Sequence, residues 1–326
     1  MRRFFKILIT IFICLTILLL FGRNHFILGI LLISSRYIFF IFGLFFLYAA
    51  FRYAMPKSIK VFLILILLSI SIEFAWNKIN EELLIDPLSD KKISLMSYNL
   101  FFKNKDRDAS IKVIKDCNPD ILIVQELTLD WANNLNKSIG SQYPYKKIVA
   151  LKGTHGIGVY SKFKIVADEL LFNDSELPFA QITEITIGGK NVQIINAHTA
   201  SPAAAVEHLE NFISLFHSNY ILREKQFEAI NTATKAKGIL FDVQILAGDL
   251  NTTQYEPLYR DLKSTWVDLF NEVGEGSSAS FPHSGKSNPL LTLDYIFVRG
   301  KTRPINMRVI KGGSSDHLAI KGEIYI

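Results

Sequence analysis

The sequence predicts a mixed α/β layered domain over residues 92–326, carried behind about three transmembrane helices in residues 1–76 and a polar linker over 77–91. Three observations predict it. Apolar runs of membrane-crossing length crowd the amino-terminal part, short β-type runs then alternate with helical stretches, and polar residues stand where those β-type runs end.

The apolar runs come first. Phe4 to Phe21 carries no charge apart from Lys6, Phe26 to Phe51 is interrupted only by Arg36, and Val61 to Trp76 only by Glu73. Each approaches the roughly 20 residues needed to cross the hydrocarbon core. A buried core helix explains one such run, but three in succession, rich in Ile, Leu and Phe and flanked by Arg and Lys, read as spans. Met1-Arg2-Arg3 ahead of the first run also fits a signal peptide, yet Leu18-Leu19-Leu20-Phe21 offers no small-residue cleavage site. Arg2, Arg3 and Lys6 on one side, with Arg52, Lys57 and Lys60 after the second run, outweigh the loop that holds Arg23. The positive-inside rule then expects a cytoplasmic amino terminus in a multi-pass protein of the cytoplasmic (inner) membrane, with everything after Trp76 on the extracytoplasmic, periplasmic side. That side reverses if the segment containing Arg36 is not a span.

Cysteine and charge exclude some classes. Only Cys14 and Cys117 occur, so the part after the apolar runs has neither a disulfide framework nor a Cys-based zinc site. Residues 1–89 hold nine of the 36 Lys+Arg and four of the 30 Asp+Glu, leaving 27 against 26 for the remainder. The basic balance is therefore mostly topogenic and is poor evidence for a nucleic-acid surface.

Within the predicted domain, Ile93 to Tyr98 and Ile121 to Val124 read as strands, each followed by a helical stretch, Ala109 to Asp116 and Leu129 to Ile139. Ile157 to Tyr160 and Ile182 to Ile187 have no long helix between them and are candidates for an antiparallel pair. Val192 to Ala197 is a further strand, Ala203 to about Lys237 is helical, and strands follow over Ile239 to Ala247, Leu293 to Val298, Met307 to Ile310 and Leu318 to Ile326. No fixed-period repeat occurs, and the one biased stretch is Gly274 to Ser280.

Polar residues at the strand ends carry the chemistry. Asn99 follows the first strand, Gln125-Glu126 the second, His198 the run ending at Ala197, and Asp249 and Asn251 the run ending at Ala247. Asp316-His317 precede the last strand, and Asp294 stands within an apolar run. Any one of them is adequately explained as a cap or turn residue, Gly248-Asp249-Leu250-Asn251 included. As a set they supply carboxylates and amides for a hard cation and two imidazoles for proton transfer or phosphate contact.

With Ser97-Tyr98-Asn99-Leu100, Gln125-Glu126, Gly156-Ile157-Gly158-Val159-Tyr160-Ser161, Asn196-Ala197-His198, Gly248-Asp249-Leu250-Asn251, Leu293-Asp294-Tyr295-Ile296-Phe297 and Ser315-Asp316-His317 in that order, the sequence resembles the endonuclease/exonuclease/phosphatase superfamily. The spacing Arg223-x-x-Gln226 is also typical of it. The resemblance runs from Ile93 to about Ile326 and implies a deoxyribonuclease I-like four-layer α/β/β/α sandwich. It further implies Glu126 as the main carboxylate ligand of a Mg²⁺ or Mn²⁺ ion, with Asn99 beside it and Asp316 completing a metal position. Asp249 would orient or deprotonate the attacking water, and Asn251 would hold that water or a phosphate oxygen. His198 would donate to a phosphate oxygen. His317, oriented by Asp294, would stabilise the transition state or protonate the leaving oxygen. Leu293 departs from the pattern, since many members carry Arg or another polar residue there.

The expected function is a membrane-anchored, metal-dependent phosphoesterase cutting a phosphodiester, with a lipid headgroup or nucleic acid as the substrate class. Endonuclease or exonuclease activity is the alternative, and a catalytically silent membrane-anchored binding protein is the alternative of another class. Beside that substrate, the membrane lipid bilayer is the expected partner, and the sequence points to no protein partner.

Overall fold

The computed structural model describes residues 7, 9–10, 42–53, 56–57, 59–61, 63–64, 91–202, 211–237, 241–285 and 288–326. The greater part of the three apolar runs, the linker over 77–90 and the helical start expected at Ala203 lie outside the described residues. No helix among those described is long and apolar enough to cross a membrane. The chain divides into two units, Met1–Glu81 with Thr253–Asp261, and Glu82–Thr252 with Leu262–Ile326. In the first, residues 42–52 are helical, and Ile9, Phe46, Ala50 and Leu63, drawn from all three apolar runs, are buried against one another. The large side chains of Phe42, Leu44, Phe45, Tyr48 and Phe51 are exposed.

The second unit is built on two mixed sheets. Among the described residues the strands are β1 (Lys92–Asn99), β2 (Ile121–Gln125), β3 (Tyr145–Val149), β4 (Ile157–Ser161), β5 (Ile165–Phe172), β6 (Pro178–Ile187), β7 (Lys190–His198), β8 (Val243–Asp249), β9 (Val267–Asp268), β10 (Gly274–Glu275), β11 (Asp294–Gly300), β12 (Arg303–Ile310) and β13 (Ala319–Tyr325). One sheet runs β10-β12-β13-β1-β2-β4-β3 and the other β5-β6-β7-β8-β11-β9. Helices α1 (Arg107–Cys117), α2 (Leu129–Ile139) and α3 (Phe212–Lys237) follow β1, β2 and β7.

Side-chain alternation decides the layers. Ile93 and Leu95 of β1 and Ile121 and Ile123 of β2 face Ile194 of β7, Ile245 of β8 and Ile296 of β11, forming the dry centre between the sheets. The alternate residues, Met96, Tyr98, Leu122 and Val124, pack against Ile111 and Ile114 of α1 and Trp131, Leu135 and Ile139 of α2. Burying a side chain such as Leu135 contributes roughly 2 kcal/mol. Helix α3 reaches the outer face of the second sheet, where the Thr234 carbonyl accepts from Gln244 at 3.2 Å. The result is the expected four-layer arrangement.

The antiparallel pair suggested for Ile157 to Tyr160 and Ile182 to Ile187 does not form. β4 pairs with β2 and β3, while β6 pairs with β5 and β7 in the other sheet. β3 and β5 escape the periodicity reading because they are edge strands: β3 carries Lys146 and Lys147 with every residue at least partly exposed, so no buried face imprints an alternation.

Topology explains why the strand ends converge. β1 and β2 are parallel, as are β7 and β8, so Asn99, Gln125, His198 and Asp249 all lie at carboxyl ends. β13 is antiparallel to β1 and β11 antiparallel to β8, which brings the starts of those strands to the same end; Asp294 is the register partner of Asp249, itself the partner of His198. A buried amide pair ties the sheets together there: Gln125 Nε2 donates to Asn196 Oδ1 at 2.9 Å, and Asn196 Nδ2 donates to the Val124 and Gly158 carbonyls.

Candidate active site

Asp249 is the centre of this end. It is 2% exposed, and its place depends on the glycine before it: Gly248 has φ 146°, and a Cβ there would lie 1.9 Å from the Ala197 carbonyl oxygen. Only glycine lets β8 approach β7 this closely. The next turn is left-handed at Asn251, φ 45°, whose backbone N–H donates to Asp249 Oδ1 at 3.0 Å and whose side-chain amide donates to the Thr199 carbonyl at 3.0 Å. Such a backbone costs about 1 kcal/mol outside glycine, and the two hydrogen bonds hold it. Asn251 thus braces both Asp249 and the end of β7.

Two imidazoles flank Asp249 Oδ2, the oxygen that Asn251 does not bind. His198 Nε2 and His317 Nε2 each lie 3.6 Å from it. Each ring is anchored through Nδ1, His198 on the Thr154 carbonyl at 3.0 Å and His317 on Asp294 Oδ2 at 2.8 Å. Burial works against charge on His317, but the carboxylates of Asp294 and Asp249 outweigh it and push the imidazole up to about 10. Burial raises the Asp249 carboxyl, and His317 is the largest influence in the opposite direction.

On the third side, Asn99 Nδ2 donates to Asp249 Oδ2 at 3.0 Å and to Glu126 Oε1 at 3.2 Å. Glu126 is also left-handed, φ 56°, and its Oε2 accepts from the Phe102 N–H at 2.9 Å. Asp316 is set beside this group: burial pushes its carboxyl up to about 6, His317 lowers it, and Glu126 and Asp249 add to the rise. Its Oδ1 is buried without a hydrogen-bond partner. That orphaned oxygen, on a carboxylate that feels both Glu126 and Asp249, fits a hard divalent cation, which would offset the mutual repulsion of the carboxylates. Asp249, Asp294 and His317 also bring ligand atoms within 4.8 Å of one another. Asp294 Oδ2, however, already accepts from His317 and from Ser280 Oγ, the latter at 2.6 Å, so this trio is arranged for holding a proton.

The structure therefore brings together all eight residues singled out in the sequence. It also shows neighbours that the sequence did not. His155, half-buried, feels His198 and Glu126, and its imidazole is pushed down by burial first and by His198 second. Its position just before the Gly156-Ile157-Gly158 strand entry is the one signal it carried. Ser280 carried none, since it closes the Gly- and Ser-rich stretch that reads as a plain loop. Phe281 has its ring 4.7 Å from that of His317. Arg223 and Gln226, the spaced pair already noted in the sequence, act from α3 at a remove: they bind the Ala200 carbonyl and N–H just past His198. Leu293 is buried, and its carbonyl accepts from the Leu250 N–H at 2.9 Å, so this position brings no polar side chain to the substrate.

Solved structures share this fold at low identity. D. rerio TDP2 complexed with single strand DNA product is 17% identical, with 73% of this chain and 100% of that one covered at a TM-score of 0.56. A truncated Caenorhabditis elegans TDP2 is 20% identical, with coverage of 73% and 100% and a TM-score of 0.56. A beta toxin of Staphylococcus aureus is 20% identical, with coverage of 71% and 99% and a TM-score of 0.54. No curated protein matches the chain. The model of the Endonuclease/Exonuclease/phosphatase family matches residues 96–317, the span that supplies every residue of this site, and the chain belongs to that family.

Proposed function

We propose that the chain is a divalent-cation-dependent phosphodiesterase anchored in a membrane. The observation that carries the reading is the shared carboxylate: Asp249 Oδ2 stands between two anchored imidazoles and is joined through Asn99 to Glu126. A phosphodiester is anionic and repels hydroxide, so donors that neutralise charge on its oxygens and a base beside the water are what its hydrolysis requires. Asp249 orients the attacking water and accepts its proton, and Asn251 keeps that carboxylate aimed while offering its amide to the water or a phosphate oxygen. His198 donates to a phosphate oxygen. His317, held as a cation by Asp294, stabilises the charge that builds on the phosphorane and protonates the leaving oxygen. Glu126, Asn99 and Asp316 would hold Mg²⁺ or Mn²⁺, which supplies Lewis-acid neutralisation of the phosphate charge when bound.

Membrane anchoring is supported by the three apolar runs and by the exposed apolar face of residues 42–51. The basic flanks support an extracytoplasmic catalytic part. Anchoring and the near-neutral balance of the catalytic part favour a phospholipid or sphingolipid headgroup as the substrate. Single-stranded nucleic acid is the second reading, favoured by the likeness to the TDP2 that holds such a product. The test uses the full-length protein in detergent with bis(p-nitrophenyl) phosphate, then with sphingomyelin, lysophospholipid and single-stranded DNA. Hydrolysis that EDTA abolishes and Mg²⁺ or Mn²⁺ restores is expected. Activity that persists in EDTA would sink the reading, and the substrate turned over fastest decides between lipid and nucleic acid.

A further inference from the structure

Ser280 is fully buried and hydrogen-bonds the Asp294 member of the His317–Asp294 pair. Its hydroxyl donates to Asp294 Oδ2 at 2.6 Å, the same oxygen that accepts from His317 Nδ1 at 2.8 Å. Asp294 Oδ1 is buried without a partner, so these two bonds to one oxygen set the rotation of the carboxylate. The backbone of Ser280 is pinned on both sides, its N–H donating to the Leu291 carbonyl and its carbonyl accepting from the N–H of Leu318, the residue after His317, each at 2.8 Å. Phe281 adds a lid on the ring, its centroid 4.7 Å from that of the imidazole, and its N–H is tied to Leu291 at 3.0 Å.

From this we infer that Ser280, with Phe281, is a positioning residue for His317. The hydroxyl fixes which Asp294 oxygen faces Nδ1, and the phenyl ring limits the swing of the imidazole, so Nε2 is held toward Asp249. Without the hydroxyl, Asp294 is free to turn its unpaired oxygen, and the imidazole follows. The inference rests on the phosphodiesterase reading for its kinetic consequence and on geometry alone for its structural one.

The test is a double-mutant cycle on the full-length protein with Mg²⁺ and bis(p-nitrophenyl) phosphate, with the Nδ1 proton resonance of His317 followed by NMR and assigned by its loss in His317→Ala. Ser280→Ala should lower kcat about tenfold, as expected for one hydrogen bond, leave KM within about twofold, and shift or abolish the resonance. In the His317→Ala background the same substitution should cost nothing further, because its target is gone. Ser280→Thr should keep the resonance, and Phe281→Leu should reduce kcat by less. An equal loss in both backgrounds would mark Ser280 as merely structural and overturn the proposal, as would an unchanged resonance in Ser280→Ala. If the wild type hydrolyses no phosphodiester, the functional reading fails, and the resonance still decides the positioning role.

Discussion

His198 and His317 present the same nitrogen to the same oxygen at the same 3.6 Å, yet they are held by different chemistry. His317 is anchored on a carboxylate and His198 on a backbone carbonyl. A carboxylate stabilises the imidazolium, whereas a carbonyl fixes the tautomer and leaves the charge to the surroundings. Equal geometry therefore need not mean equal work: the His317 side is built to keep a positive charge at the phosphate, and the His198 side to offer one oriented ring nitrogen.

The comparison breaks first at its common point. Asp249→Asn removes the carboxylate that both rings face, and kcat for bis(p-nitrophenyl) phosphate should fall about 10³-fold or more with the fold intact by circular dichroism. A smaller loss than that of either histidine variant would contradict the central place given to Asp249. Next, His317→Ala should cost about 10²–10³-fold in kcat, since it deletes a charged donor from a water-poor site. His198→Ala should cost about tenfold, the scale of one hydrogen bond. Steady-state kinetics on the two variants side by side would refute the asymmetry if their losses were equal or reversed.

The smallest effect is on stability. His317 is raised from an ordinary 6.5 to about 10 in the folded chain, so the folded state holds the proton more tightly than the unfolded one. Its contribution is fully present below about pH 6.5 and is lost as pH rises toward 10. Thermal unfolding in EDTA should show wild-type Tm falling across that window more steeply than the Tm of His317→Gln.

How much was legible can be read from individual residues. Asn99, Glu126, His198 and Asp249 stand at the ends of strands whose apolar runs are unmistakable, and their order along the chain matches one family. β3 and β5 were not legible, because edge strands with no fully buried residue lack the two-residue alternation that burial imposes. Ser280 was invisible for a related reason: it gains meaning only when β11 and β13 bring Asp294 and His317 to it. His155 shows the intermediate case, next to a recognisable strand entry but close to Glu126 only through the loop between β3 and β4.

The amino-acid sequence alone determined the alternation of strands and helices, the apolar amino-terminal runs, and the residue types offered at each strand end, because periodicity and turn chemistry are local properties of the chain. Only the tertiary structure decided that four carboxyl ends and two strand starts meet at one edge of the sandwich. It alone assigned the Thr154 carbonyl to His198 and Ser280 to Asp294, and it set one carboxylate oxygen between the rings. Those pairings join residues far apart in the chain, and they exist only once parallel pairs in both sheets and the Gln125–Asn196 link fix how the sheets are stacked.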